Sequence, residues 1–339
     1  MRGGGRIRRL LGFDAKTDTV SLKNAPNPGL RPALVIPCHN DAGGLVRLLA
    51  RVRRLDCFAQ IIVVDDGSDT PVQDVITNAD DLTILRHDAP RGGGLARNRG
   101  LEAVTAPQVM FFDADDMLLP ELRHLLADLA GAGSFDICQF RYADSRVAAE
   151  GAWGQPDWDD RFWAAAGTTV GALSDLDPDF WPALAQTANY PWNKVYDTAF
   201  LRRHDIGCAA TAVHQDIPLH WQSYLAATRI LASDRICAWH EVRATGDRLT
   251  NRAGPERLEV FAALDLVADR LEGRPDWEAA LAEFTLGLVD WGADRIRPDL
   301  VPDLRAAERD WLDRHLRPAL DRIGDRDPGL IARLTERMG

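Results

Sequence analysis

The stretch Val109-Met110-Phe111-Phe112, followed at once by Asp113-Ala114-Asp115-Asp116, constrains this chain more than any other. Four consecutive apolar residues read as a strand buried on both faces, and a strand that ends in three carboxylates must end at a solvated rim. Carboxylates this close repel one another unless a cation or a proton arrives. Alternation along an extended chain sends Asp113 and Asp115 to the same side, where two oxygens can share a hard divalent ion that also grips a diphosphate. The same acids also suit a helix cap, and Pro120 marks a helix start nearby.

Upstream the pattern alternates. Ala33-Leu34-Val35-Ile36-Pro37 reads as a strand, and Leu45, Leu48, Leu49, Val52 and Leu55 follow at helical spacing. Ile61-Ile62-Val63-Val64 and Leu82-Thr83-Ile84-Leu85 read as further strands, and a helix over about 95–104 leads back to the acidic strand. Strands alternating with helices predict an α/β fold with an open, mostly parallel sheet and ligands at the strands' carboxyl ends. Beyond Leu122 a helix and a strand at Phe135–Phe140 follow. Residues 144–190 read as irregular, and three helices close the chain. In the middle one, Trp277, Leu281, Phe284, Leu288 and Trp291 form one stripe, the signature of core packing.

At 339 residues with 46% hydrophobic and 27% charged residues, the chain is long enough for a sizeable core and ordinary for a globular enzyme. A net charge of -11 excludes general nucleic-acid binding, which requires a basic face. Five cysteines (38, 57, 138, 208, 237) show no CxxC pair, which argues against a disulfide framework or zinc site and suits a reducing cytoplasm. No apolar run approaches the ~20 residues that cross a bilayer. Residues 1–32 hold seven Lys/Arg against two Asp, a local charge of +5. They lack a hydrophobic signal core, so no secretion signal is expected, and their charge suits contact with an anionic membrane surface as well as a frayed terminus.

Three segments surround the proposed pocket. Val64-Asp65-Asp66-Gly67-Ser68-Asp69 follows the second strand, where a carboxylate can accept from the N3–H of a uracil ring while Gly67 lets the backbone come close. An Asx-rich turn capping a helix needs the same residues. Ile36-Pro37-Cys38-His39-Asn40 ends the first strand, and Cys38 and His39 read as packing and turn residues, with no second His or Cys nearby. Arg91-Gly92-Gly93-Gly94-Leu95-Ala96-Arg97-Asn98-Arg99-Gly100 puts glycines before a helix whose free N–H groups, with Arg97 and Arg99, can hold phosphate or ribose oxygens. It is not a dinucleotide fingerprint, because Arg97 stands where a third glycine belongs.

In this order and spacing, Pro37 with Asn40, Val64-Asp65-Asp66-Gly67-Ser68, Ala96-Arg97-Asn98-x-Gly100 and Asp113-x-Asp115-Asp116 resemble the family 2 glycosyltransferases of the GT-A fold. The match is close over 33–120 and looser to about 250. The resemblance implies that Pro37, Asn40 and Asp65 border the nucleotide, Asp66 contacts the base and Arg97 helps hold the nucleotide. It also implies that Asp113 faces the ribose and donor sugar, and that Asp115 ligates a Mg²⁺ or Mn²⁺ bridging the diphosphate. Pro191-Trp192-Asn193-Lys194-Val195-Tyr196 is similar to a segment preceding the acceptor site, where Lys194 offsets diphosphate charge and Trp192 stacks on a sugar or simply packs. In His214-Gln215-Asp216, Asp216 matches the family's general base, while Gln215 stands where relatives usually carry Glu. His240 and the Asp247 loop, similar to a donor-closing segment, are further candidates.

The implied division is a basic extension at 1–32, a nucleotide-sugar half at 33–120, an acceptor half at 121–250 and a helical subdomain at 251–339. The implied activity is an inverting, metal-dependent transfer from a nucleoside diphosphate sugar, UDP-linked by family habit and Asp66, to a hydroxyl of a glycan or lipid-linked acceptor in surface polysaccharide or glycoconjugate synthesis. A homodimer through the closing helices and a cytoplasmic location, peripheral at the membrane's inner face, complete the expectation. A nucleotidyltransferase would want a Gly-rich, Arg-containing loop where Cys38-His39-Asn40-Asp41 stands, and a glycosidase needs no nucleotide pocket. An inactive nucleotide-sugar binding or assembly subunit is the alternative that Gln215 keeps open.

Overall fold

The computed structural model describes residues 27–167, 173–242, 252–271, 273–325 and 327–339. The 243–250 loop with Asp247 and most of the basic extension lie outside these residues.

Among the described residues nine strands, β1 (Ala33–Cys38), β2 (Gln60–Asp65), β3 (Thr83–Arg86), β4 (Gln108–Phe111), β5 (Met117–Leu118), β6 (Ile137–Asp144), β7 (Leu173–Asp175), β8 (Lys194–Asp197) and β9 (Ile230–His240), form one sheet in the order β3-β2-β1-β4-β8-β6-β9-β5, with β7 paired to β9. Strands β1 (Ala33–Cys38), β2 (Gln60–Asp65), β3 (Thr83–Arg86) and β4 (Gln108–Phe111) pair in parallel, with Cys38 opposite Asp65, Asp65 opposite Arg86 and Val35 opposite Phe111. Their carboxyl ends therefore share one rim. Each is a run of β-branched and large apolar residues, as a strand covered on both faces requires. Helix α1 (Ala42–Leu55) covers one face with Leu45, Leu48, Leu49, Val52 and Leu55, and Asp41 caps it by accepting from Gly44 N–H at 2.9 Å. On the other face, α2 (Gly93–Glu102) lies so close that a Cβ on Gly100 would stand 2.3 Å from Val35 Cγ1. A glycine is required there.

Beyond β4 the direction changes. Strand β8 (Lys194–Asp197) runs antiparallel to both β4 and β6 (Ile137–Asp144), while β9 (Ile230–His240) is parallel to β6. The reversal matters for function: the start of β8 (Lys194) reaches the same rim as the ends of β1, β2, β4, β6 and β9. The short β5 (Met117–Leu118) and β7 (Leu173–Asp175) both run antiparallel to β9. Helix α3 (Glu121–Ala130) begins just past the acidic turn.

Two expectations need correction. The described parts of 144–190 are not irregular throughout, since residues 157–165 are helical and β7 pairs into the sheet. Local signals there are short, and burial of Trp163 and Trp181 decides the structure. After α4 (Ile217–Ala226), the chain closes with four helices of eight residues or more among the described residues, not three: α5 (Val260–Ala268), α6 (Pro275–Ala293), α7 (Val301–His315) and α8 (Pro328–Met338). A proline in the first turn of α6, α7 and α8 resets the chain between helices. The α6 stripe does pack inward, with Trp277 and Phe284 meeting the buried Trp221 of α4 at ring separations of 6.4 and 5.1 Å. Among the described residues no helix is long and apolar enough to cross a membrane.

Candidate active site

The rim gathers the acids. One oxygen from each of Asp113, Asp115 and Asp116 lies within 4.8 Å of the others. Their settings differ. Asp116 is buried and accepts from His240 Nδ1 at 3.0 Å and from Glu241 N–H at 2.9 Å. Burial pushes its carboxyl above the usual range, and His240 works against that shift. Asp113 pairs with the buried guanidinium of Arg97, which reaches it from the first turns of α2. The donor set is all oxygen, with only part of its charge matched by these partners, and that chemistry fits a hard cation.

The Asp65-Asp66 pair divides its labour in a way the linear motif does not reveal. Asp65 is buried, accepts from Ser68 N–H at 2.9 Å and Val72 N–H at 3.0 Å, and pairs with Arg86. Burial opposes its charge, but these donors outweigh it and hold the carboxyl below the usual range. Asp66 accepts from Arg91 N–H at 2.9 Å and Gly92 N–H at 2.7 Å and faces His87 Nδ1 at 2.7 Å. It thus ties the end of β2 to the glycine loop before α2. Gly67 has φ +66°, and a Cβ there would stand 2.6 Å from the backbone of Ala89 and Pro90, so only glycine fits between these loops. Asn40, at φ 52°, donates from its N–H to Ser68 Oγ at 3.0 Å and accepts from Asp69 N–H at 2.9 Å. Pro37 is the half-buried last step before this turn. The sequence motifs are therefore one interlocked set of loops.

Asp216 stands half-buried at the start of α4, close enough to Arg97 to feel its charge. Burial lifts its carboxyl to about 6, while Arg97 and Lys194 favour the charged form and Asp113 opposes it. Gln215 is buried and leans on the glycine loop: a Cβ on Gly93 would stand 3.0 Å from Gln215 Nε2 and 3.3 Å from Arg97 Nη1. Lys194 is fully buried, and Nζ donates to Tyr190 O and Asn193 Oδ1, both at 2.7 Å. Burial brings its ammonium down to about 7, and Asp159 and Asp216 resist that fall.

Asp159 escaped the sequence reading. Fully buried, it accepts from Ala188 N–H at 2.8 Å and Tyr142 Oη at 3.1 Å, and burial raises its carboxyl to about 6. No local pattern marks it, since it lies on a helix among other acids. His87 was equally invisible, although its place just past β3 on the shared rim is a usable signal. Trp192 is buried against Tyr190, stacked at 4.6 Å, and against His240 at 5.3 Å. Its packing role is thus realised directly. Cys38 and His39 likewise serve the turn, with His39 Nδ1 on Asp66 O at 2.8 Å.

Comparison with known proteins gives this arrangement its class. The model of the family "Glycosyl transferase family 2" matches residues 33–183, the span holding the interlocked loops and the acidic turn. The "Pre-mycofactocin glycosyltransferase" of Mycobacterium tuberculosis is 43% identical over 84 residues, covering 24% of this chain and 17% of that protein. The "Uncharacterized glycosyltransferase YibD" of Escherichia coli is 30% identical over 194 residues, covering 55% of this chain and 54% of that protein. The chain thus spans about a sixth and about half of these relatives' lengths. Among solved structures, Staphylococcus aureus TarS 1-349 in complex with UDP-GlcNAc superposes with TM-score 0.70 at 17% identity, covering 91% of this chain and 88% of that one. The fold is that of the GT-A glycosyltransferases. Over residues 33–183 the sequence is that of a glycosyl transferase family 2 segment.

Proposed function

We propose that the protein transfers a sugar from a nucleoside diphosphate sugar to an acceptor hydroxyl with inversion at the anomeric carbon. The observation that carries this reading is the convergence on one rim of the Asp113–Arg97 pair, Asp115 and the half-buried, charge-tuned Asp216. Asp66, Asn40, Asp65 and Pro37 build the wall for the base and ribose, with Asp66 also fixing the loop that α2 starts from. That a protein of the same fold is solved with UDP-GlcNAc supports a UDP-linked donor.

Asp216 takes the acceptor proton as that oxygen attacks the anomeric carbon from the face opposite the leaving diphosphate. A carboxyl near 6 is ionised at neutral pH yet basic enough to accept a proton. Arg97 orients Asp113 and supplies positive charge beside the diphosphate. Lys194 contributes its charge from within the protein, through its field on Asp216, because its Nζ is enclosed by Tyr190 and Asn193. A Mg²⁺ or Mn²⁺ held by Asp115, with Asp113 and Asp116, would stabilise negative charge on the departing diphosphate. The division into nucleotide half (33–120), acceptor half (121–250) and closing helices (251–339) belongs to this reading. So do a glycan or lipid-linked acceptor, a cytoplasmic site of action with peripheral membrane contact, and a homodimer.

A panel of nucleoside diphosphate sugars, screened by thermal shift with and without Mn²⁺, tests the donor. Nucleotide release with an oligosaccharide or lipid-linked acceptor panel tests the transfer. Metal-dependent stabilisation by UDP-sugars and nucleotide release that Asp216→Asn abolishes are expected. Binding without any turnover in the wild type would instead identify a binding or assembly subunit.

A further inference from the structure

The loop that carries Gln215 and Asp216 is gripped from outside the matched family segment. Ala212 N–H donates to Glu259 Oε2 at 2.5 Å, just before α5. His214, immediately before Gln215, has the positive φ of 55°, a backbone region uncommon for a non-glycine residue. The ring of Trp291 on α6 meets the His214 imidazole edge-on at 5.9 Å. Two guanidinium groups lie over the Trp291 ring, that of the buried Arg257 at 4.9 Å and that of Arg295 at 4.3 Å. The helix that follows Asp216 is held by the same unit: Gln222 Nε2 donates to Leu266 O at 2.8 Å, and Trp221 packs on Trp277 and Phe284. The opposite side of the loop rests on the donor half, where Asn98 Nδ2 donates to Cys208 O and its Oδ1 accepts from Cys208 N–H.

From this geometry we propose that the closing helices are part of the catalytic machinery: Trp291 and Glu259 are positioning residues that set the backbone of 212–214 and so aim Asp216 at the acceptor oxygen. The proposal rests on the reading of Asp216 as the base. Its physical logic is that a general base acts within hydrogen-bond reach, so a shift of about 1 Å transmitted through one strained residue costs on the order of a hundredfold in rate. The donor half is also tied by its own loops, from Asp66 to Gly92 and from Asn40 to Ser68, and those ties do not run through 212–214. Loss of the clamp therefore lowers turnover without weakening the grip on nucleotide.

The test uses the full chain with Trp291→Ala, Trp291→Phe and Glu259→Gln. Amide hydrogen exchange of the unliganded proteins reads the segment 208–217, UDP with Mn²⁺ is the binding probe, and nucleotide release from the UDP-sugar that the wild type turns over gives kcat and KM. In Trp291→Ala, exchange in 208–217 should accelerate about tenfold, kcat should fall about ten- to a hundredfold, and the UDP dissociation constant should stay within about twofold. Trp291→Phe should recover most of both changes, and Glu259→Gln, the milder variant if Trp291→Ala fails to fold, should show the same pattern more weakly. Unchanged exchange in 208–217, or UDP affinity falling in step with kcat, overturns the proposal. If the wild type turns over no nucleotide sugar, the functional reading fails, while the exchange data still decide whether the helices hold the loop.

Discussion

Arg97, buried on α2, pairs with Asp113 at the tip of the central strand β4. The pair joins the helix whose glycines lie against Gln215 to the strand whose end carries the acidic cluster, so the elements proposed to hold the donor and to carry the base meet at one ion pair. Removing a single partner leaves a charge without its match. Asp113→Ala should cost about 3 kcal/mol in urea unfolding, and Arg97→Met/Asp113→Asn together should recover most of that stability. Neither variant should release nucleotide from donor, since both lose charge beside the diphosphate.

Asp216→Asn keeps shape and volume but cannot accept a proton. Turnover should fall by about 10²–10⁴, with nucleotide affinity unchanged, in steady-state kinetics paired with calorimetric UDP titration. Wild-type turnover in this variant would remove Asp216 from the mechanism.

The base also sets a pH dependence. Its carboxyl, lifted by burial to about 6, must be ionised to work, so kcat should be full above that value and fall as pH drops through it. Lys194 favours the charged carboxylate, so Lys194→Met should move this acid limb to higher pH. A limb that stays in place would show that Lys194 does not act on Asp216.

Asp115→Ala should abolish any extra stabilisation that Mn²⁺ adds to UDP binding, because it removes one of the three carboxylates whose oxygens lie within 4.8 Å of one another. A ligand at a hundred times its dissociation constant stabilises the native state by about 2.7 kcal/mol, which a thermal shift resolves easily. Equal shifts in wild type and variant would place the cation elsewhere.

Gly67→Ala tests the interlocked loops. Its positive φ and the 2.6 Å approach to the Ala89–Pro90 backbone predict a loss of about 1–3 kcal/mol and weaker UDP binding, since the Asp66-to-Gly92 tie runs through the same place.

Residues 33–116 announced the parallel part of the sheet by themselves, because buried parallel strands need continuous apolar runs and glycine turns, and these are local properties of a chain. The acids at 113–116 and the Asp65-Asp66 turn were legible for the same reason. What they hold was not: Asp66 binds the Arg91–Gly92 backbone and Asp65 pairs with Arg86, contacts between segments more than 20 residues apart. The antiparallel course of β8, which brings Lys194 to the rim and then buries it, the recruitment of Asp159, and the grip of Trp291 on His214 were decided only by tertiary packing. Burial and long-range pairing set charge and position there, and neither leaves a periodic trace in the amino-acid order.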